Sequence, residues 1–163
     1  MKDWIYDEFN HVGVDYSQKE NADVYDDQME TFRDYEGEAK VFIDKLGAAN
    51  PKELTVIDIG CGTGAFAIHA AKYLKKVYAV DVSKEMLNIA KSKAKVEGID
   101  NIEFCNSGFL QFQVNTKVDV VFSKWAFHHL PDYWKQAALL NVNNMLKMDG
   151  VFLLTDVVFK FDP

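Results

Sequence analysis

Residues 55–66, which read TVIDIGCGTGAF, limit what this 163-residue chain can fold into more than any other stretch. The glycines Gly60, Gly62 and Gly64 alternate directly after an apolar run that contains one acid, Asp58. Small apolar residues follow at once, so the pattern predicts a buried strand that turns sharply into a helix. Glycine permits positive φ and close approach of a ligand, and the turn is expected to leave N–H groups free at the helix start.

The spacing of the glycines separates two kinds of nucleotide site. A dinucleotide fingerprint requires G-x-G-x-x-G after a strand, whereas this chain has D-x-G-x-G-x-G, with Phe66 two positions beyond Gly64. A tight strand-to-helix turn without a ligand is the structural alternative.

Strands and helices alternate along the rest of the chain. Turn residues and apolar periodicity predict strands at 54–59, 77–81, 102–106, 118–123 and 151–158, and helices at 36–47, 64–76, 84–97 and 132–147. Ser83 is the predicted N-cap of the helix at 84–97, Gly47 is the predicted stop of the helix at 36–47, and Asp149-Gly150 is a predicted turn. This alternation favours a parallel sheet with helices on both faces and a ligand site at the carboxyl ends of the strands.

The D-x-G-x-G-x-G run resembles motif I of the class I S-adenosylmethionine-dependent methyltransferases, and the resemblance extends from about Leu54 to Asp156. It implies an α/β, three-layer Rossmann-like fold with a mainly parallel sheet in the strand order 3-2-1-4-5. The final β-hairpin of that family is apparently missing, so we expect either a fragment of a longer protein or an abbreviated sheet. The hairpin often helps to shape the acceptor pocket, and we therefore expect this chain to bind cofactor better than it catalyses.

Residues 1–50 are predicted to form a helical lid or cap, and residues 51–163 the cofactor-binding core. The front of the chain is acidic with interleaved aromatic residues, which indicates short helices with a turn at Gly13. The resemblance implies that such a segment folds over the cofactor, with Tyr16 and Tyr25 as candidate lid residues. Packing of these tyrosines onto the core is the alternative.

A cofactor site is predicted around the first two strands. Asp81 ends the second strand, where an acid can accept hydrogen bonds from ribose hydroxyls. The resemblance assigns Asp58 to the methionine amino group and Val82 and Met86 to the adenine face. The predicted glycine loop comprises Gly60, Cys61, Gly62 and Gly64.

The loop after the third strand departs from the family pattern. Resembling enzymes commonly carry an acid there for the adenine amino group, and Gly108 stands in its place. A backbone N–H of Gly108 or Phe109, with Asn106 or Ser107 as polar partner, is the expected substitute.

The resemblance places the sulfonium end of the cofactor beside Ser123 and Lys124, after the fourth strand, with Trp125 packed nearby. His128 and His129 follow and are candidate general bases, because imidazole titrates near neutral pH. A packing role in the loop-to-helix turn is the alternative for both. No metal site is expected, since no acid or cysteine stands at ligand spacing.

The predicted function is methyl transfer from S-adenosylmethionine, with S-adenosylhomocysteine as product, to an unidentified acceptor that we expect to be a small molecule. A non-catalytic binding module and an NAD-dependent oxidoreductase are the alternatives. The net charge of -7 argues against DNA as a partner. Neither a signal peptide nor an apolar run of membrane-spanning length is evident, so we expect a cytoplasmic protein without a membrane partner. A homodimer could cover an exposed sheet edge.

Overall fold

A five-stranded sheet forms the centre of the computed structural model, which describes residues 6–10, 14–29 and 31–157. Its order is β3-β2-β1-β4-β5, and all four strand pairs are parallel. The strands are β1 Thr55–Ile59, β2 Lys76–Asp81, β3 Ile102–Asn106, β4 Val118–Lys124 and β5 Leu146–Thr155. The predicted Rossmann-like order is thus confirmed. The fifth strand ends at Thr155, three residues before its predicted end at Val158, and the predicted turn at Gly13 lies outside the described residues.

Helices cover both faces of the sheet. They are α1 Lys19–Asp23, α2 Tyr25–Met29, α3 Tyr35–Leu46, α4 Ala65–Ala71, α5 Lys84–Val96 and α6 Asp132–Met145. Alternate residues of β1 point to opposite faces, so that Val56 joins a core with α3 and α4 while Ile57 joins a second core with α6. Within the described residues, no helix combines the length and apolar character needed to cross a bilayer.

Local capping residues set several helix ends where the sequence predicts them. The Ser83 hydroxyl accepts a hydrogen bond from the backbone N–H of Met86 at the start of α5 (3.2 Å). Gly47 ends α3 in the left-handed conformation, with φ of 58°.

Helix α4 is shorter than predicted, because it ends at Ala71 rather than near residue 76. The amide of Asn101 donates to the carbonyl oxygens of Ala71 (2.9 Å) and Leu74 (3.0 Å) and so satisfies acceptors that a longer helix would bond internally. The chain then turns directly into β2.

Helix α6 ends two residues earlier than predicted, at Met145, because Leu146 is buried in the sheet and pairs with Val118. Residues 147–150 then stand opposite the single residue Asp119 before regular pairing resumes. The predicted turn in this region is therefore a bulge inside β5.

Three phenylalanines join the N-terminal helices to the sheet. Phe66 of α4 stacks on Phe122 of β4 with ring centroids 4.2 Å apart, and Phe42 of α3 meets both rings edge-on at 5.3 and 5.2 Å. All three are buried. Edge-to-face aromatic packing adds to the burial of apolar area, so this cluster fixes α3 on the core.

Replacing Phe42 with Ala should lower the free energy of unfolding by about 3–5 kcal/mol, because it leaves a cavity between two packed rings. Urea denaturation would measure this change. Val41→Ala on the exposed side of the same helix is the matched control and should change it by less than about 0.5 kcal/mol. Equal effects of the two substitutions would show that α3 is not part of the cooperative core.

Candidate functional site

A cavity of about 880 Å³, including its open mouth, lies at the carboxyl ends of the central strands. The predicted site residues that line it are Tyr16, Tyr25, Gly60, Gly62, Asp81, Val82, Met86, Ser107, Gly108, Phe109 and His129. The tertiary structure thus brings together residues from the N-terminal segment and from the loops after β1, β2, β3 and β4.

A smaller polar recess of about 410 Å³ adjoins this cavity, and Tyr25 and Gly60 line both. Three further predicted residues line the recess: Asp58, Cys61 and Lys124.

Four predicted residues line neither space. The amide of Asn106 donates to the backbone carbonyl oxygens of Asp81 (3.0 Å) and Val82 (2.8 Å). Gly64 faces α5, where an added Cβ would lie 2.7 Å from the Cβ of Ala90.

Ser123 is fully buried, and among the described residues its hydroxyl has no hydrogen-bond partner. The imidazole of His128 is directed to Asp156.

The backbone of the glycine loop forms the floor of the cavity, because its glycines carry no side chains. Gly60 has φ of 79°, and a Cβ on it would overlap the Cβ of Ala126 in the loop after β4. Gly62 has φ of 55° and lies against the ring of Tyr25. Both positions therefore require glycine, for backbone conformation and, at Gly60, for space.

The N–H groups within the glycine loop are largely bonded inside the protein. The free N–H groups predicted at the helix start are a separate set in the first turn of α4, whose N-cap Gly64 makes no side-chain hydrogen bond. The N–H groups of Gly60 and Cys61 donate to the carbonyl oxygen of Val80 (2.8 and 3.1 Å), and that of Gly62 donates to Asp81 (2.8 Å). The N–H of Gly64 donates to the carbonyl oxygen of Cys61 (3.0 Å). These four N–H groups are bonded within the loop or to the end of β2, so the loop offers a ligand close approach to its backbone and not these four donors.

Asp81 joins the glycine loop to the start of α5. One carboxylate oxygen accepts from the N–H of Gly62 (2.8 Å), and the other accepts from the N–H of Ser83 (2.9 Å). These two bonds fix the orientation of the carboxylate at the cavity wall, where charge-assisted bonds are strong.

The N-terminal segment covers the cavity through specific contacts. The Ser83 hydroxyl donates to the carbonyl oxygen of Tyr16 (2.7 Å), and the rings of Tyr16 and Tyr25 meet edge-on at 5.3 Å. Asp26 of α2 accepts from the Thr63 hydroxyl (2.5 Å) and pairs with Lys93 of α5 (2.8 Å). Both candidate tyrosines therefore sit over the glycine loop.

The recess is lined by an acid, Asp58, and by two hydrogen-bond donors, Arg33 and Tyr35. Asp58 is buried, and this burial raises its pKa to about 7, with Arg33 opposing the shift and Asp81 adding to it. Tyr35 is also buried, which raises its pKa to about 12, and among the described residues its hydroxyl has no hydrogen-bond partner. Arg33 pairs with Glu38 through two nitrogen atoms (3.1 and 2.5 Å).

Sequence reasoning missed Arg33 and Tyr35. The signal that could have found Arg33 is compositional, because it is the only arginine of the chain and stands in an acidic segment. Nothing in the local pattern around Tyr35 distinguishes it from the other tyrosines.

Glu8 is a further residue that sequence reasoning missed. It lines the cavity, is only 8% exposed, and accepts a hydrogen bond from the N–H of Leu110 (2.8 Å). Burial raises its pKa to about 7, while the N–H groups of the loop after β3, Leu110 first among them, oppose the shift.

The loop after β4 forms the opposite wall. Trp125 has φ of 58°, which is rare for a bulky residue, and its N–H donates to the carbonyl oxygen of Thr155 (2.9 Å). Asp156 accepts from the N–H of His128 (2.8 Å) and lies 2.6 Å from its Nδ1, which anchors this loop to the end of β5. His129 lines the cavity, and its ring lies against that of His128 with centroids 4.1 Å apart and planes tilted by 38°.

Metal ligation finds no support in the part of the chain that the structure describes. No group of three or more histidine, cysteine, aspartate or glutamate side chains is arranged there to hold an ion.

Sequence comparison connects this site to known proteins. A family model described as "Methyltransferase domain" matches residues 50–161. "Uncharacterized methyltransferase YcgJ" of Bacillus subtilis (strain 168) is 35% identical over 113 residues, which are 68% of this chain and 44% of that protein. The chain therefore spans about half the length of this curated relative.

Solved structures give the same result. The YcgJ crystal structure matches 72% of this chain and 49% of its own with a TM-score of 0.64 at 32% identity. An S-adenosylmethionine-dependent methyltransferase from Clostridium acetobutylicum ATCC 824 matches with a TM-score of 0.71 at 25% identity, over 83% of this chain and 55% of that chain. DhpI, solved in complex with SAH, matches with a TM-score of 0.65 at 26% identity, over 88% and 69%.

The family model covers more than half of the chain, and the sheet order agrees with the solved methyltransferase structures. On this evidence the chain belongs to the class I S-adenosylmethionine-dependent methyltransferase family.

Proposed function

We propose that this chain binds S-adenosylmethionine in the cavity at the carboxyl ends of its strands and transfers the methyl group to a small acceptor molecule. The observation that carries this proposal is the position of Asp81. Its carboxylate is held at the cavity wall by Gly62 and Ser83, directly beside a floor that only glycine can form. A ribose with two adjacent hydroxyl donors fits an acid in this position.

The adjoining recess fits the amino-acid end of the same ligand. Asp58 provides a buried carboxyl group for an ammonium. The hydroxyl of Tyr35, which has no hydrogen-bond partner among the described residues, and Arg33 provide donors for a carboxylate. Because Gly60 lines both spaces, a ligand with a sugar in one and an amino acid in the other would cross the glycine floor.

S-adenosylmethionine supplies an activated methyl group when bound, so the protein has mainly to position the acceptor in line with it. His129 lines the cavity, and we assign to it the task of orienting the acceptor or removing its proton. His128 holds the same loop in place through Asp156 and is a positioning residue.

Two features favour a small acceptor. The chain carries a net charge of -7, which opposes a nucleic-acid backbone. The cavity is also covered from one side by the N-terminal segment, since Tyr16 and Tyr25 both line it. A confined space of this kind suits a metabolite better than a polymer.

Calorimetric titration with S-adenosylhomocysteine tests cofactor binding, and a panel of small amines, alcohols and thiols tests transfer through production of S-adenosylhomocysteine from S-adenosylmethionine. We expect micromolar binding of S-adenosylhomocysteine. Absence of binding at millimolar concentration would overturn the proposal.

Asp81→Asn should weaken S-adenosylhomocysteine binding by about 10- to 100-fold, because the loss of one charged acceptor removes a charge-assisted hydrogen bond. Isothermal titration would measure the dissociation constant. Asp100→Asn, in the exposed turn before β3, is the matched control and should bind like the unmodified chain. If both variants bind equally well, Asp81 does not hold the ligand.

Cofactor affinity should also depend on pH through Asp58. Burial raises its pKa to about 7, so the carboxylate that would attract the ligand's ammonium is lost as the pH falls below that value. The charged groups that act on it are Arg33, which lowers its pKa, and Asp81, which raises it. The same recess is also lined by Lys124, Tyr25 and Tyr35.

We therefore expect the dissociation constant of S-adenosylhomocysteine to fall by about tenfold between pH 6 and pH 8. Because Glu8 titrates in the same range, the contribution of Asp58 is the part of this dependence that Asp58→Asn removes. A pH profile that Asp58→Asn leaves unchanged would contradict the assignment.

A further inference from the structure

The loop after β3 lacks an acid of its own, but the structure places one directly upon it. Gly108 does not have positive φ, so its backbone conformation does not require glycine. A Cβ at this position would instead lie 2.5 Å from Oε2 and 2.7 Å from Cδ of Glu8. The carboxyl group of Glu8 therefore occupies the space that a side chain at position 108 would fill.

Glu8 is held in this place by the core. Its Oε1 accepts from the N–H of Leu110 at 2.8 Å, at the start of a turn closed by the bond from the N–H of Phe112 to the carbonyl oxygen of Gly108 (3.0 Å). A carboxylate has two oxygens and can accept several hydrogen bonds. The same side chain lines the main cavity.

The order of strands tells which part of a nucleoside would meet Glu8. With the sugar at Asp81 on the end of β2, the next strand outward is β3, about 4.8 Å away. Val82, Met86 and Phe109 provide apolar walls between the two strand ends, as the flat faces of a base require. Glu8 then stands at the edge of that base.

We propose that Glu8 selects the base of the cofactor by accepting a hydrogen bond from its exocyclic amino group. This inference rests on the proposed cofactor function. Above pH 7 the carboxyl group of Glu8 is mainly ionised, and a carboxylate accepts and does not donate. At pH 8 it therefore favours a 6-amino purine and opposes a 6-oxo purine, which presents an acceptor at the same place. Specificity for the base thereby comes from the N-terminal segment and not from the loop after β3.

Calorimetric titration at pH 8 with S-adenosylhomocysteine and with its 6-oxo analogue, S-inosylhomocysteine, tests this proposal. The unmodified chain should prefer the amino compound by about 30-fold, since an unsatisfied polar edge is rejected strongly. Glu8→Gln keeps an oxygen for the N–H of Leu110 but adds a donor, so the preference should fall below about threefold. Glu20→Gln, an exposed acid of α1, is the matched control and should keep the full preference.

The ratio of the two affinities separates base selection from a structural role, because loosening of the segment would weaken both ligands alike. If the unmodified chain binds neither compound, the proposed cofactor function fails. If it binds S-adenosylhomocysteine and Glu8→Gln keeps the full preference, only the role of Glu8 is overturned.

A second pair of variants tests the shared space of Glu8 and Gly108. Gly108→Asp alone should weaken S-adenosylhomocysteine binding by at least tenfold, because its side chain collides with Glu8. Combining it with Glu8→Ala should restore affinity to within about fivefold and should also restore the preference for the amino compound. A double variant that binds no better than Gly108→Asp would overturn the proposal that an acid at position 108 can replace Glu8.

Discussion

The carboxylate of Asp81 is the contact on which the arrangement of the cavity depends. It accepts one hydrogen bond from the glycine loop after β1 and one from the first turn of α5, and so fixes two loops that begin on neighbouring strands. Gly60 then brings a third loop close, since the absence of a side chain lets Ala126 pack against it. The loops after β1, β2 and β4 therefore lie close together.

The second half of the site comes from the N-terminal segment, and its contacts are spread over the whole length of the cavity. Tyr16 is bonded to Ser83, Asp26 to Thr63, and Glu8 to Leu110. Each bond joins the segment to a different loop of the core. Tyr16 and Glu8 therefore have two roles, because they attach the segment to the core and also line the cavity.

The sequence predicted the fold well where short-range chemistry decides it. The Ser83 cap and the Gly47 stop follow from neighbouring residues, and both are confirmed. The predicted ends of α4 and α6 are wrong, because distant partners decide them. The amide of Asn101 donates to the carbonyl oxygen of Ala71 at the end of α4, and Leu146 pairs with Val118 in the sheet. Helical periodicity alone does not reveal contacts with residues far along the chain.

By itself, the sequence determined the strand, the turn with positive φ at Gly60 and the acid at the end of β2, since backbone sterics and chain direction are local properties. It also determined the family through the spacing of those residues. Only the tertiary structure decided that Glu8 lies on Gly108 and that Arg33 lies near Asp58. These residues are far apart along the chain, and the burial of apolar surface on folding is what brings their polar groups together.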